Sequence, residues 1–180
     1  DASGITTGDG NNSITNDGSI TVMAMPDVAV DIRRNDEYVN LIKGDGSPNF
    51  NTITAHSTAL GISTGDGNDA IVNNGSIDVA AFDLKSGCAS ADGCGVLDSA
   101  QGTLSAIGIR TGDGDDVVMN DGAISAITFE NNFGTSHIGI DLGLGNDALT
   151  LGGTSSVFGS IDLGDGDDWL TLIGTPMAME

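Results

Sequence analysis

The chain has 180 residues, with 26 acidic side chains against 5 basic ones and a formal net charge of −21. That balance excludes nucleic acid and anionic membrane surfaces as partners, because phosphates are held by Lys and Arg. Hydrophobic residues make up 38% and aromatic residues 4%, with 28 glycines, so small aliphatic side chains must fill the interior, as they do in thin stacked layers.

A unit of turn, short apolar run and turn recurs along the chain. It begins at Gly8 (GDGNNSITNDGSITV), Gly65 (GDGNDAIVNNGSIDV), Gly112 (GDGDDVVMNDGAISA), Gly143 (GLGNDALTLGGTSSV) and Gly164 (GDGDDWLTLIGT). In each copy a second glycine follows ten residues after the first: Gly18, Gly75, Gly122, Gly153 and Gly174. Alternating apolar positions between two glycine turns read as corner, strand, corner, and five copies at fixed spacing read as a repeat architecture. Gly143 to Gly164 is 21 residues, and two weaker corners, Lys43-Gly44-Asp45-Gly46 and Asp92-Gly93, each stand 21 residues before a strong one. Counting both gives about seven turns.

A turn of about 21 residues accommodates three short strands and three corners. The expected fold is therefore all-β: a right-handed parallel β-helix, or solenoid, with Ile62, Ile71 and Ile77 pointing inward in one layer and Ile109, Val118 and Ile124 in the next. The repeat runs nearly end to end, and the chain starts inside one copy and stops soon after another, so the expectation is a single β-helix domain over 1–180 that is a fragment of a longer chain. Edge insertions are expected near 26–50, 80–104 and 127–137. The first of these holds Arg33, Arg34 and Lys43, three of the five basic residues. Loops on a rigid scaffold carry variable contacts, so Arg33, Arg34 and Tyr38 are the expected partner-binding residues.

The corner resembles the calcium-binding RTX nonapeptide. Gly65, Gly67, Asp69 and Ile71 match its second, fourth, sixth and eighth positions, as do Gly112, Gly114, Asp116 and Val118, then Gly143, Gly145, Asp147 and Leu149, and finally Gly164, Gly166, Asp168 and Leu170. That resemblance implies Ca2+ as a cofactor, with Asp69, Asp116, Asp147 and Asp168 as metal ligands. Over most of residues 4 to 175 the chain is also similar to the passenger regions of bacterial autotransporters, in GITTGDGNNSITNDGSITV, GISTGDGNDAIVNNGSIDV and IDLGDGDDWLTLIGT. This second likeness implies a protein exported through the outer membrane, extracellular or on the bacterial cell surface. Its work would be structural and adhesive, as a stalk presenting edge loops to a surface receptor, a glycan or a sister cell. Cys88 and Cys94 would form a small disulfide loop in an exported protein and two idle thiols in a cytosolic one; the likeness favours the disulfide.

Other chemistry is weighed residue by residue. The corner Asp and Asn side chains either hold calcium between layers or cap their own corner amides, as in Asx turns. Arg110 falls in the same outward column as Asp141 and Asp162, so it either pairs with Asp141 or serves as the base of a glycan-cleaving β-helix; the pairing is expected, and the chain is not read as an enzyme. Neither His56 nor His137 has a Ser, Cys or Asp at a triad-like spacing. No apolar run of transmembrane length is present, so no membrane insertion by this segment is expected. Open rod ends are the expected place for self-association, since unpaired strand edges template pairing.

Overall fold

The computed structural model describes residues 1–25, 53–82, 100–129, 134–174 and 177–179. The chain winds through three parallel sheets in turn. The first layer is β1 (Ala2–Thr6), β2 (Ser13–Asn16) and β3 (Ser19–Ala24). The second is β4 (Ile53–Ser63), β5 (Ala70–Asn73) and β6 (Ser76–Phe82), and the third is β7 (Ala100–Asp113), β8 (Val117–Asn120) and β9 (Ala123–Phe129). The fourth is β10 (Gly134–Leu144), β11 (Ala148–Leu151) and β12 (Ser156–Phe158), and the fifth is β13 (Ser160–Asp162), β14 (Trp169–Leu172) and β15 (Met177–Met179). The sheets run β1-β4-β7-β10-β13, β2-β5-β8-β11-β14 and β3-β6-β9-β12-β15. This is a three-sheet parallel β-helix.

Its interior is a stack of aliphatic side chains to which all three sheets contribute. Ile62, Ile109 and Ile140 from the first sheet, Ile71, Val118 and Leu149 from the second, and Ile77, Ile124 and Val157 from the third are all at most 1% exposed. Each buried side chain of this size contributes about 1.5–3 kcal/mol relative to exposure, yet no layer encloses its own; each side chain is covered by the layers above and below. Every inward position expected from the alternation is buried. A second glycine column makes room for them. Gly61 and Gly108 lie inside β4 and β7, where an added Cβ would meet Ile77 or Ile124 and the backbone of the next layer.

The number of layers differs from the sequence expectation. Ser13 to Asn16 pair directly with Ala70 to Asn73, and those pair directly with Val117 to Asn120, so no layer intervenes at either weak corner. The described strands make five layers rather than about seven, a stack about 24 Å long at about 4.8 Å per layer. The weak corners themselves lie outside the described residues. Their sequences differ at one place: Pro48 and Gly95 stand where the strong copies carry Asn12, Asp69 or Asp116, and neither has a side-chain oxygen. The stretches 26–52, 83–99 and 130–133 all fall between the last strand of one layer and the first of the next, which is the edge expected for insertions. Between β12 and β13, Gly159, with a φ of +124°, turns the chain from the third sheet into the first.

Candidate functional site: the stacked acidic corner

The corner between the first and second sheets carries the acidic residues singled out in the sequence. Its glycines take backbone angles closed to other residues, with φ of +135° at Gly67 and +144° at Gly114 and Gly145. The turn therefore repeats in each layer, and equivalent side chains fall in columns.

Two hydrogen-bonded columns run side by side in opposite directions. In the inner one, the amide of Asn12 donates to Asp69 Oδ1 at 2.7 Å, that of Asp69 to Asp116 Oδ1 at 2.8 Å, that of Asp116 to Asp147 Oδ1 at 2.8 Å, and that of Asp147 to Asp168 Oδ1 at 3.0 Å. Each side chain thus accepts from the layer before it. In the outer column the direction reverses. The amides of Asn68, Asp115, Asn146 and Asp167 donate to the side-chain oxygens of Asn11, Asn68, Asp115 and Asn146 at 2.8–3.1 Å. Asp66 and Asp113 add longer contacts of the same sense, to Asp9 and Asp66. The Asx capping expected within each corner is thereby replaced by capping between layers. Asn12 alone also closes its own corner, through Nδ2 to the carbonyls of Gly8 and Gly10 at 2.9 and 2.6 Å.

The inner carboxylates are buried, with Asp69, Asp116 and Asp147 at most 2% exposed. One oxygen of each is spent on an amide, while Oδ2 of all three is buried without a hydrogen-bond partner. Thr111, beside Asp116, directs its hydroxyl to the Leu142 carbonyl at 2.6 Å. Burial disfavours the charged form. Burial accordingly pushes the Asp147 carboxyl up to about 6; the Asp116 amide opposes this, and the charges of Asp116, Asp168 and Asp115 add to it. Asp116 is raised as well, first by burial, with the Asp69 amide opposing this and the charges of Asp69 and Asp115 adding repulsion.

Calcium takes six to eight oxygen ligands. The four expected ligands Asp69, Asp116, Asp147 and Asp168 do line up, but one above another, each with an oxygen committed to a main-chain amide. Among the described residues no three acidic side chains converge closely enough to hold an ion. The column is built as a hydrogen-bonded spine.

Arg110 stands beside Asp141 in the strand register and donates from Nε to Asp141 Oδ2 at 2.9 Å, a partly exposed ion pair. Asp162 stands on the other side of Asp141 and accepts from the Gly164 amide at 3.1 Å. The partner-binding candidates Arg33, Arg34 and Tyr38, and the cysteines Cys88 and Cys94, lie outside the described residues.

One buried element went unnoticed in the sequence. Asn16 Nδ2 donates to Asn73 Oδ1 at 2.7 Å and Asn73 Nδ2 to Asn120 Oδ1 at 2.6 Å. Asn120 then closes on the Gly122 carbonyl at 3.2 Å, and the Gly18 amide donates to Asn16 Oδ1 at 3.2 Å. The three asparagines are at most 7% exposed. The signal was an Asn two residues before the second glycine in the first three copies, where the last two copies have Leu151 and Leu172.

No protein-family model matches the chain, no curated protein matches it, and no solved structure matches it.

Proposed function

We propose that this chain is a stiff acidic β-helix stalk of an exported bacterial surface protein, of the autotransporter-passenger kind, whose edge loops contact a receptor, a glycan or a sister cell. The observation that carries this reading is how the layers tolerate their connections. The first four layers keep one register, while the stretches 26–52, 83–99 and 130–133 that connect them range from 4 to 27 residues, all between the third sheet of one layer and the first sheet of the next. A scaffold indifferent to what it carries at one edge suits display. Loop-closure entropy grows only slowly with loop length, which makes long insertions there inexpensive. Strong net negative charge keeps such a rod soluble.

The test is to excise 27–52 and bridge the ends with a short Gly-Ser linker. The two sides already meet, since Ser57 Oγ donates to the Ala24 carbonyl at 3.0 Å. The expected outcome is an unchanged β circular dichroism spectrum and loss of attachment to cells, with the Arg33→Ala, Arg34→Ala, Tyr38→Ala triple variant losing attachment in the same way. Full attachment by a folded, loop-less rod would show that these residues do not carry it.

A further inference from the structure

We infer that the outward face of the second sheet docks a basic amphipathic peptide segment, one that carries Lys or Arg beside apolar side chains. Residues of β2, β5, β8, β11 and β14 alternate between interior and solvent, and no outward position of these strands is charged. Val117, Met119 and Trp169 stand there 52%, 41% and 71% exposed, and Val117, Ala148 and Trp169 are register partners in successive layers. A contiguous apolar face of this kind marks a contact surface, the more so in a chain with a formal net charge of −21. The stretches 26–52, 83–99 and 130–133 leave from the opposite edge, between the third sheet and the first, whereas the corners on either side of the second sheet are among the described residues in the first four layers. A further layer at either end of the rod would lengthen this face and leave its side chains outward.

Charge complementarity names the occupant. Asp115 and Asp167 lie two residues before Val117 and Trp169 at one corner, Asp17 and Asp121 lie two residues after Thr15 and Met119 at the other, and all four are exposed. Among the described residues Arg110 is the one Lys or Arg, and it is spent on Asp141 of the first sheet. Trp169 points to the same chemistry. Its Nε1 donates to Thr171 Oγ1 at 3.1 Å, so the indole N–H is satisfied within the strand and the exposed ring offers its π surface, which attracts Lys and Arg. An apolar strip between two acidic rims therefore suits cations on hydrocarbon stems with apolar side chains between them. A second copy of this chain would bring the same acidic rims and be repelled. The strip measures about 24 Å by 13 Å, well short of the roughly 800 Å² per partner of a standard protein interface, and an extended peptide of about seven residues spans its length. Excision of 27–52 leaves every residue of this face in place, so the contact stands or falls separately from the edge loops.

Trp169 is the only tryptophan of the chain, so its fluorescence reads this face directly. The probe is a synthetic octapeptide of alternating Lys and Leu, titrated against the 180-residue protein at physiological salt, unlabelled for Trp169 emission and fluorescein-labelled for anisotropy. The expected result is a saturable rise in anisotropy and a blue shift of Trp169. Met119→Lys and Trp169→Ala, both at exposed outward sites, should each weaken binding about tenfold or more by anisotropy. Thr21→Lys makes the same charge change as Met119→Lys on the exposed face of the third sheet and should weaken it less than about twofold, since surface charges are screened over about 8 Å at this salt. Absence of binding overturns the inference. Equal losses in Thr21→Lys and Met119→Lys, or equal binding of an octapeptide of alternating Lys and Ser, would mean that net charge alone recruits the peptide and would overturn it as well. A shift of Trp169 with cellohexaose and none with the Lys-Leu peptide would make this a glycan face instead.

Discussion

Asp147 shows how a single residue can store pH sensitivity in an otherwise repetitive scaffold. Its carboxyl is raised from 3.8 to about 6, so the folded state holds a proton that the unfolded chain has released between those values. Stability from this group is therefore full below about pH 4 and falls as pH rises to about 6, at up to about 1.4 kcal/mol per pH unit. Asp147→Asn keeps an oxygen for the Asp116 amide and removes the buried charge, with Asn12 as the precedent in the same column. Urea unfolding at pH 4 to 7 should show the variant about 1–3 kcal/mol more stable than the unmodified protein at pH 7, with a flatter profile. Identical profiles would place the proton elsewhere. Asn73 presents the opposite case, a buried amide whose partners depend on it. Asn73→Ala strands Asn120 Oδ1 and leaves Asn16 Nδ2 only a longer bond to the Ser76 carbonyl at 3.3 Å, and should cost about 2–4 kcal/mol. Converting Asn16, Asn73 and Asn120 together to Leu, the residue the fourth and fifth layers use, should cost far less; equal losses would show that hydrogen bonding is not what the column contributes.

One element that limits the fold is the second corner, where the backbone of one layer leaves no room for a side chain on the next. A Cβ on Gly75 would strike the Gly18 backbone, and one on Gly122 would strike the Gly75 backbone, while a Cβ on Gly18, in the first layer, meets nothing within 4 Å. Both neighbours in the clash are backbone, so neither can swing aside. Gly122→Ala should therefore cost about 3 kcal/mol or more, in the range of overpacked or strained sites, and Gly18→Ala less than about 1 kcal/mol. Thermal unfolding of the pair decides it. Equal effects would mean that the layers have slack at this corner. The Arg110–Asp141 pair at the neighbouring face is partly exposed, and such pairs are worth about 0–1 kcal/mol, so layer spacing rests on the glycine corners and aliphatic stack rather than on this salt bridge.

At the scale of the whole molecule, stability accumulates layer by layer through nearest-neighbour contacts. Amide donors from neighbouring layers occupy one oxygen of each inner carboxylate, so the layers are expected to join without a cation. The melting temperature should therefore be the same, within about 2 °C, in chelator and in millimolar calcium. A rise corresponding to more than about 2 kcal/mol, that is roughly 4 °C or more for a chain of this size, would instead identify a metal site and return the corner to the RTX reading.

Much of this was legible in the residues themselves. Glycines ten apart with alternating Ile, Val and Leu between them specify strand, corner and inward face locally, because a strand's side chains alternate with period two, and Ile71, Ile77, Val118 and Ile124 are buried as that period requires. The pairing of Arg110 with Asp141 also followed from the repeat alone. What the tertiary structure decided is which copies touch. The weak corners stand at the right spacing, yet the strands of the strong copies pair directly with one another, a choice of neighbours that no single copy carries in its own residues. For the same reason the acidic residues read one at a time suggested ligands or local caps, while stacking turned them into a spine. The alternation along one strand is written in its own sequence; the direction of a hydrogen bond between layers exists only once two distant segments lie one above the other.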